Sequence, residues 1–223
     1  MKVDGGELAE FLRWRPLYLD LLSEVHPGHL AARGLSPGAI RRLRECERSR
    51  WELSREAGWL LPPGASDDWR PWRGREGETA AWALLPGGEL WKAGLRLGAA
   101  RFRLEISRLA WRKDVRAFKT AAGEDAYRFA LRQAAMVWRG AVLTDESDLD
   151  RLPLGERTVR TAGLGLGCWL SGLPTGLAAR ARLKLPPEAG ADLDLASSWD
   201  GDRRSNWLSV LKRIVALAAR VQA

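Results

Sequence analysis

The stretch from Trp82 to Gly140 restricts the possible folds of this chain more than any other. It reads as three or four helices in quick succession, each with one apolar face. Leu90, Trp91, Ala93, Gly94, Leu95, Leu97 and Gly98 make the first of them apolar around most of its circumference, which predicts a central, buried helix. Gly94 and Gly98 stand one turn apart on one face. Each costs a helix about 1 kcal/mol of propensity, so the pair predicts a neighbouring helix at close approach. Phe102, Ile106 and Leu109 carry the apolar face onward, and Val115, Phe118 and Ala122 continue it. Gly123 is expected to end that helix in a left-handed conformation. Glu124 and Asp125 then fall at a new helix start, where the dipole favours negative charge. Tyr127, Ala130, Leu131 and Ala134 form the next stripe.

The rest of the chain extends the pattern. Leu8, Phe11 and Leu12, then Leu17, Leu19, Leu21 and Leu22, suggest one or two helices around Pro16, broken near Arg15. His26 to His29 reads as a turn. Ser36-Pro37 is an N-cap followed by proline at the first helical position. It opens a helix to about Leu60 that directs Ile40, Leu43, Leu53, Ala57 and Leu60 inward and a mixed-charge face outward. Residues 61–79 form an irregular loop and residues 144–154 an acidic linker. Glu156 to Leu173 reads as a helix with Val159, Leu166, Trp169, Leu170 and Leu173 inward. Ala181 to Leu185 alternates as a short strand would, and Glu188 to Ser198 reads as a loop. A final amphipathic helix places Leu208, Leu211, Val215, Ala218 and Val221 on one side, either docked on the body or free to grip a partner. The expected fold is mainly α: a single compact, bundle-like domain over 1–223, with at most one short β segment near 181–185.

Motifs that would carry catalysis are missing from the sequence. There is no P-loop, H-E-x-x-H, G-x-S-x-G or C-x-x-C pattern. Gly163, Gly165 and Gly167 do not complete a dinucleotide fingerprint, because the third glycine is replaced by Cys168 or Leu170 in either frame. Small residues that permit close helix contact explain them better. The two histidines, His26 and His29, would make half a metal site with nothing to complete it. Arg204 and Leu211 occupy positions that a calcium loop starting at Asp200 would fill with ligands. Cys46 and Cys168 match no redox or metal spacing and read as reduced, mostly buried thiols, with a single disulfide as the alternative. The expectation is a non-enzyme without cofactor, metal or small-molecule substrate. No apolar leader or membrane-length run is visible, so a soluble, cytoplasmic protein is expected.

The net charge of +8 rests mostly on arginine. A basic surface attracts nucleic acid, anionic lipid or an acidic protein partner. A GC-rich coding sequence also raises Arg, Ala, Gly and Trp together, which accounts for part of the surplus. Twelve tryptophans are harder to set aside, since tryptophan is a frequent interface anchor.

Three runs carry a family resemblance: Leu97-Gly98-Ala99-Ala100, Phe102 to Ser107, and Gly123 to Leu131. Arg15-Pro16-Leu17-Tyr18-Leu19, Arg157-Thr158, Gly167-Cys168-Trp169-Leu170 and Ala181 to Pro186 agree with it in order. Together they resemble the K subunit of the type III secretion sorting platform (the YscK/PscK/SctK family). The resemblance implies a non-catalytic adaptor peripheral to the cytoplasmic face of the bacterial inner membrane. It would join the cytoplasmic, forkhead-associated-like domain of the ring D subunit to the pod Q subunit, with the L stator and the ATPase beyond. The residues themselves suggest two partner-binding patches. One is Trp69, Arg70, Trp72 and Arg73 in the 61–79 loop, which packing on the body would also explain. The other is Arg101, Arg108, Arg112 and Arg116, the last three at i, i+4 spacing suited to an acidic partner. The alternative function is a basic, helical nucleic-acid-binding protein. No helix-turn-helix, zinc finger or RNA motif supports it.

Overall fold

A computed structural model describes residue 14 and residues 20–55, 60–61, 79–138 and 149–222. Twelve α-helices occur among them: α1 (Leu21–Glu24), α2 (Pro27–Ala31), α3 (Pro37–Glu45), α4 (Glu47–Arg55), α5 (Gly87–Arg101), α6 (Arg103–Ser107), α7 (Arg112–Arg132), α8 (Ala134–Val137), α9 (Leu154–Leu170), α10 (Thr175–Leu183), α11 (Gly190–Ser197) and α12 (Gly201–Gln222). The described residues contain no strand, and the mainly α expectation holds. None of these helices is long and apolar enough to cross a membrane. The chain divides into two compact units, Met1–Gly88 with Leu173–Pro187 and Glu89–Gly172 with Glu188–Ala223.

In the first unit, Leu21, Leu22, Val25, Leu30, Ile40, Leu60 and Leu183 form the core. Burying each such side chain contributes about 1.5–3 kcal/mol. Ser36 caps α3 as expected, its Oγ accepting from the Ala39 N–H at 3.2 Å. The single helix expected from Pro37 to Leu60 is instead broken at Cys46, whose φ and ψ of −97° and 99° are extended. The break resets the helical phase. Leu53 is left exposed, while Ser54 turns inward and accepts from the Leu22 N–H. Ala57 lies outside the described residues. The charged face is more than a solvated stripe, because Arg50 donates to both oxygens of Asp20 at 2.6 and 2.9 Å and Arg44 donates to the Val25 carbonyl.

His26 to His29 is not a free turn. His26 is the N-cap of α2, and its Nδ1 accepts from the Gly28 N–H. The strand expected near 181–185 does not form either. Residues to Leu183 complete α10, and Lys184 caps it. The Lys184 ammonium is almost fully buried and meets three acceptors: Glu24 at 3.0 Å, the Ala83 carbonyl at 2.8 Å and the Leu85 carbonyl at 3.1 Å. Three donors on three acceptors make burial of the charge tolerable. The alternation at 181–185 does not mark a pleat: Arg182 is partly covered on a helix, while Lys184 is buried with its charge paired.

In the second unit the most deeply buried helix is α9, with every residue from Thr161 to Leu170 inside. The expected central helix, α5, is buried on one side only: Trp91 and Leu95 are partly exposed. The two approach through glycine. A Cβ on Gly98 would strike the Thr158 carbonyl, and one on Gly94 would lie 2.8 Å from Leu166 Cδ1. Gly163 and Gly167 let α11 approach another side of α9. The region expected to be a loop, 188–198, is therefore mainly α11. Of the acidic linker, 144–148 lies outside the described residues; Leu149–Arg151 forms a 3₁₀ turn and Leu154 already starts α9.

Helix α12 packs along Trp207, Val210, Leu211 and Ile214. This is one position out of phase with the expected stripe, in which only Leu211 is fully buried among the described side chains. Val221 falls outside that set. Gly123 interrupts α7 at φ 88° and ψ 158°, as its place between two stripes implied. Beyond it Ala126, Phe129 and Ala130 face inward, and Leu131 is exposed rather than buried.

Candidate partner-binding face

The structure separates the predicted site residues. Trp69, Arg70, Trp72 and Arg73 lie outside the described residues. Arg101 is turned into the second unit. Its guanidinium sits 5.2 Å from the Phe102 ring centre and 5.7 Å from that of Trp207. It is thus a packing residue, its charge directed at aromatic faces. Arg108, Arg112 and Arg116 are exposed. They do not share one helical row. Arg108 is the C-cap of α6, residues 109–111 leave the helical path, and Arg112 begins α7. Only Arg112 and Arg116 keep the i, i+4 relation.

The break brings forward a residue that the sequence reading left out. Trp111 is the N-cap of α7, with extended φ and ψ of −87° and 132°, and it is 71% exposed. Its carbonyl accepts from the Asp114 and Val115 N–H groups, but its side chain makes no cap bond. Leu104, on α6, is also exposed. Past Trp111, Arg112, Val115, Arg116, Lys119 and Thr120 recur at i, i+3, i+4, i+7 and i+8. They line a shallow groove of about 370 Å³ on one face of α7.

Most other arginines of this unit are engaged internally. Arg157 holds Glu105 at 2.7 Å and Asp150 at 3.0 Å, Arg160 holds Asp192 at 3.0 Å, and Arg96 holds Asp125 at 2.8 Å. Lys119 is tied to Glu124 at 2.9 Å, which keeps the Glu124 carboxyl below its usual range. By contrast Arg108, Arg112, Lys113 and Arg116 have no ion-pair partner among the described residues. Arg112 and Lys113 also stand at the positive end of the α7 dipole, an arrangement unfavourable by about 0.3–1 kcal/mol each. The face therefore presents a large exposed ring within a concentration of unneutralised positive charge. It suits an acidic surface with an apolar recess.

Sequence periodicity hid Trp111 because it stands four residues before Val115 and seven before Phe118, on what looks like the same apolar stripe. No Ser, Thr, Asp or Asn between Leu109 and Arg112 signals a helix start. The available signal was the clustering itself, Trp111 directly followed by Arg112 and Lys113.

The two histidines and the adjacent carboxylates Glu124 and Asp125 have internal partners. His29 Nε2 lies 3.0 Å from the Leu185 carbonyl. Among the described residues no three His, Cys, Asp or Glu side chains gather as metal ligands. Glu124 and Asp125 are ion-paired to Lys119 and Arg96. Both cysteines are free, and Cys46 is exposed rather than buried. Comparison with protein-family models, curated proteins and solved structures finds no match to the chain.

Proposed function

We propose that this chain is a non-catalytic adaptor of the K-subunit type in the cytoplasmic sorting platform of type III secretion, and that the Trp111 face is one of its partner contacts. The observation that carries the contact is the 71% exposed Trp111 among four basic side chains that have no ion-pair partner among the described residues. The family reading rests on the ordered runs at 97–100, 102–107 and 123–131. The partner of choice is the cytoplasmic domain of the ring D subunit, with the pod Q subunit on another surface and the L stator and ATPase reached through it. The chain would then work at the cytoplasmic face of the inner membrane. A helical body with glycine-tightened helix contacts suits a bracket that transmits position.

Pulldown of the purified chain with a ring D-subunit cytoplasmic domain at about physiological salt tests this. Saturable capture is expected, lost in Trp111→Ala and weakened in Arg112→Glu with Arg116→Glu. No capture by the wild-type chain would overturn the reading. The row Arg112, Arg116 and Lys119 on α7 also favours a second reading, contact with nucleic-acid phosphates. Duplex DNA in the same assay separates the two.

A further inference from the structure

A second charged recess lies at the other end of α7, past Gly123. It holds about 250 Å³ between α7 and α12. Arg96, Arg128 and Arg132 rim it beside Asp125. Its floor is apolar: Phe129 and Ile214 are buried there, and Leu217 is half-buried.

The three guanidinium groups are not equally available. Arg96 gives Nε and Nη2 to the two oxygens of Asp125 at 2.8 and 2.9 Å and lies 5.8 Å from the centre of the Phe129 ring. That contact fixes its position and raises its pKa, chiefly through the bond to Asp125. Arg128 gives Nε to Glu124 at 2.9 Å, which leaves its two Nη groups. Arg132 has no partner among the described residues. A fixed cation and two unfilled donor edges thus surround an apolar floor. The donor edges match the planar, bidentate geometry of a carboxylate.

Size narrows the ligand. At about 250 Å³ the recess falls below the usual range of roughly 300–1,000 Å³ for small-molecule and cofactor sites. It accommodates one apolar side chain with acidic groups on either side. The geometry points to a docking site for an acidic peptide segment of a partner protein, in which an apolar side chain enters between Phe129 and Leu217 while flanking carboxylates meet Arg128 and Arg132. This site lies on different residues from the Trp111 face and does not depend on it.

The test is calorimetric titration of the full chain with a capped five-residue peptide alternating aspartate and leucine. Saturable binding is expected for the wild type, with at least a tenfold loss in Arg132→Glu. Leu217→Ala should weaken it several-fold, and Arg116→Glu should leave it within twofold. Asparagine in place of the aspartates should abolish it. Arg132 has no partner among the described residues but stands in the last turn of α7, where the dipole favours a cation, so its reversal should lower the thermal melt only slightly; Arg132→Gln is a second variant that adds no new charge. Equal loss in Arg116→Glu would move the peptide elsewhere and overturn the proposal. Tighter binding of inorganic phosphate than of the peptide would replace it with a small-anion site, and no wild-type binding would end it.

Discussion

Burial in α9 raises the Cys168 thiol to about 12, while hydrogen bonding to Ser49, whose Oγ lies 3.2 Å from Sγ, lowers the exposed Cys46 thiol. Cys46 should therefore react promptly with an aromatic disulfide reagent at pH 8, and Cys168 only once denaturant opens the fold. The same shift has a consequence for stability. An unfolded thiol releases its proton near 9.0, and the folded one holds it to about 12. Between those values the native state binds more protons, so its stability falls as pH rises. Urea melts of the wild type should lose up to about 1.4 kcal/mol per pH unit more than Cys168→Ala across that window, and nothing more below it. Such residue-level facts were hard to read in advance. Cys46 sits in a sequence that continues a helix, and nothing in Arg44-Glu45-Cys46-Glu47 announces an extended residue. Lys184 is similar: its buried contacts come from Glu24, Ala83 and Leu85, all distant in sequence.

Whole elements were more legible, because periodicity averages over several residues. Gly94 and Gly98 announced the close approach of α5 to another helix, and Ser36-Pro37 the start of α3. Gly123 announced the break in α7, and its backbone lies in a region that is essentially glycine-only. No atom crowds the position a Cβ would take there. Gly123→Ala should therefore destabilise by about 1–3 kcal/mol through backbone strain alone, read as a lower urea midpoint with an unchanged slope. Where phase had to be counted across a long helix, the reading slipped, as for α12, in which Trp207 and Ile214 replaced Leu208 and Val215. At Trp111 the stripe misled altogether. That position now separates fold from function. An N-cap without a side-chain acceptor is suboptimal, so Trp111→Ser should stabilise the chain by about 1 kcal/mol. A structural tryptophan would give the opposite sign. The same variant should lose partner capture, so a rise in melting temperature with a fall in binding identifies Trp111 as an interface residue.

At the scale of the molecule, the surplus of +8 says little until its members are sorted. Arg44, Arg50, Arg96, Arg101, Arg157, Arg160 and Lys184 are engaged with carbonyls, carboxylates or rings inside their own unit. Composition cannot make that division, since it depends on which carboxylate the fold brings near which arginine. Four of the basic side chains left without an ion-pair partner among the described residues gather at residues 108–116, and their salt response distinguishes the two readings of function. Four phosphate contacts by Arg108, Arg112, Lys113 and Arg116 would give log K a slope of about −3.6 against log salt on duplex DNA. An acidic protein partner anchored by Trp111 has screened charges at its rim and a buried ring at its centre, so its slope should be shallower. Binding to the ring domain measured between 50 and 300 mM salt should fall less than tenfold. Trp111→Ala should cost at least 2 kcal/mol, about thirtyfold, at every salt concentration. Arg112→Glu with Arg116→Glu should instead act mainly through a slower association rate at low salt. A steep slope on DNA with no ring binding would assign the face to nucleic acid. A salt-independent loss confined to Trp111→Ala would leave the aromatic ring as the anchor and the arginines as its steering field.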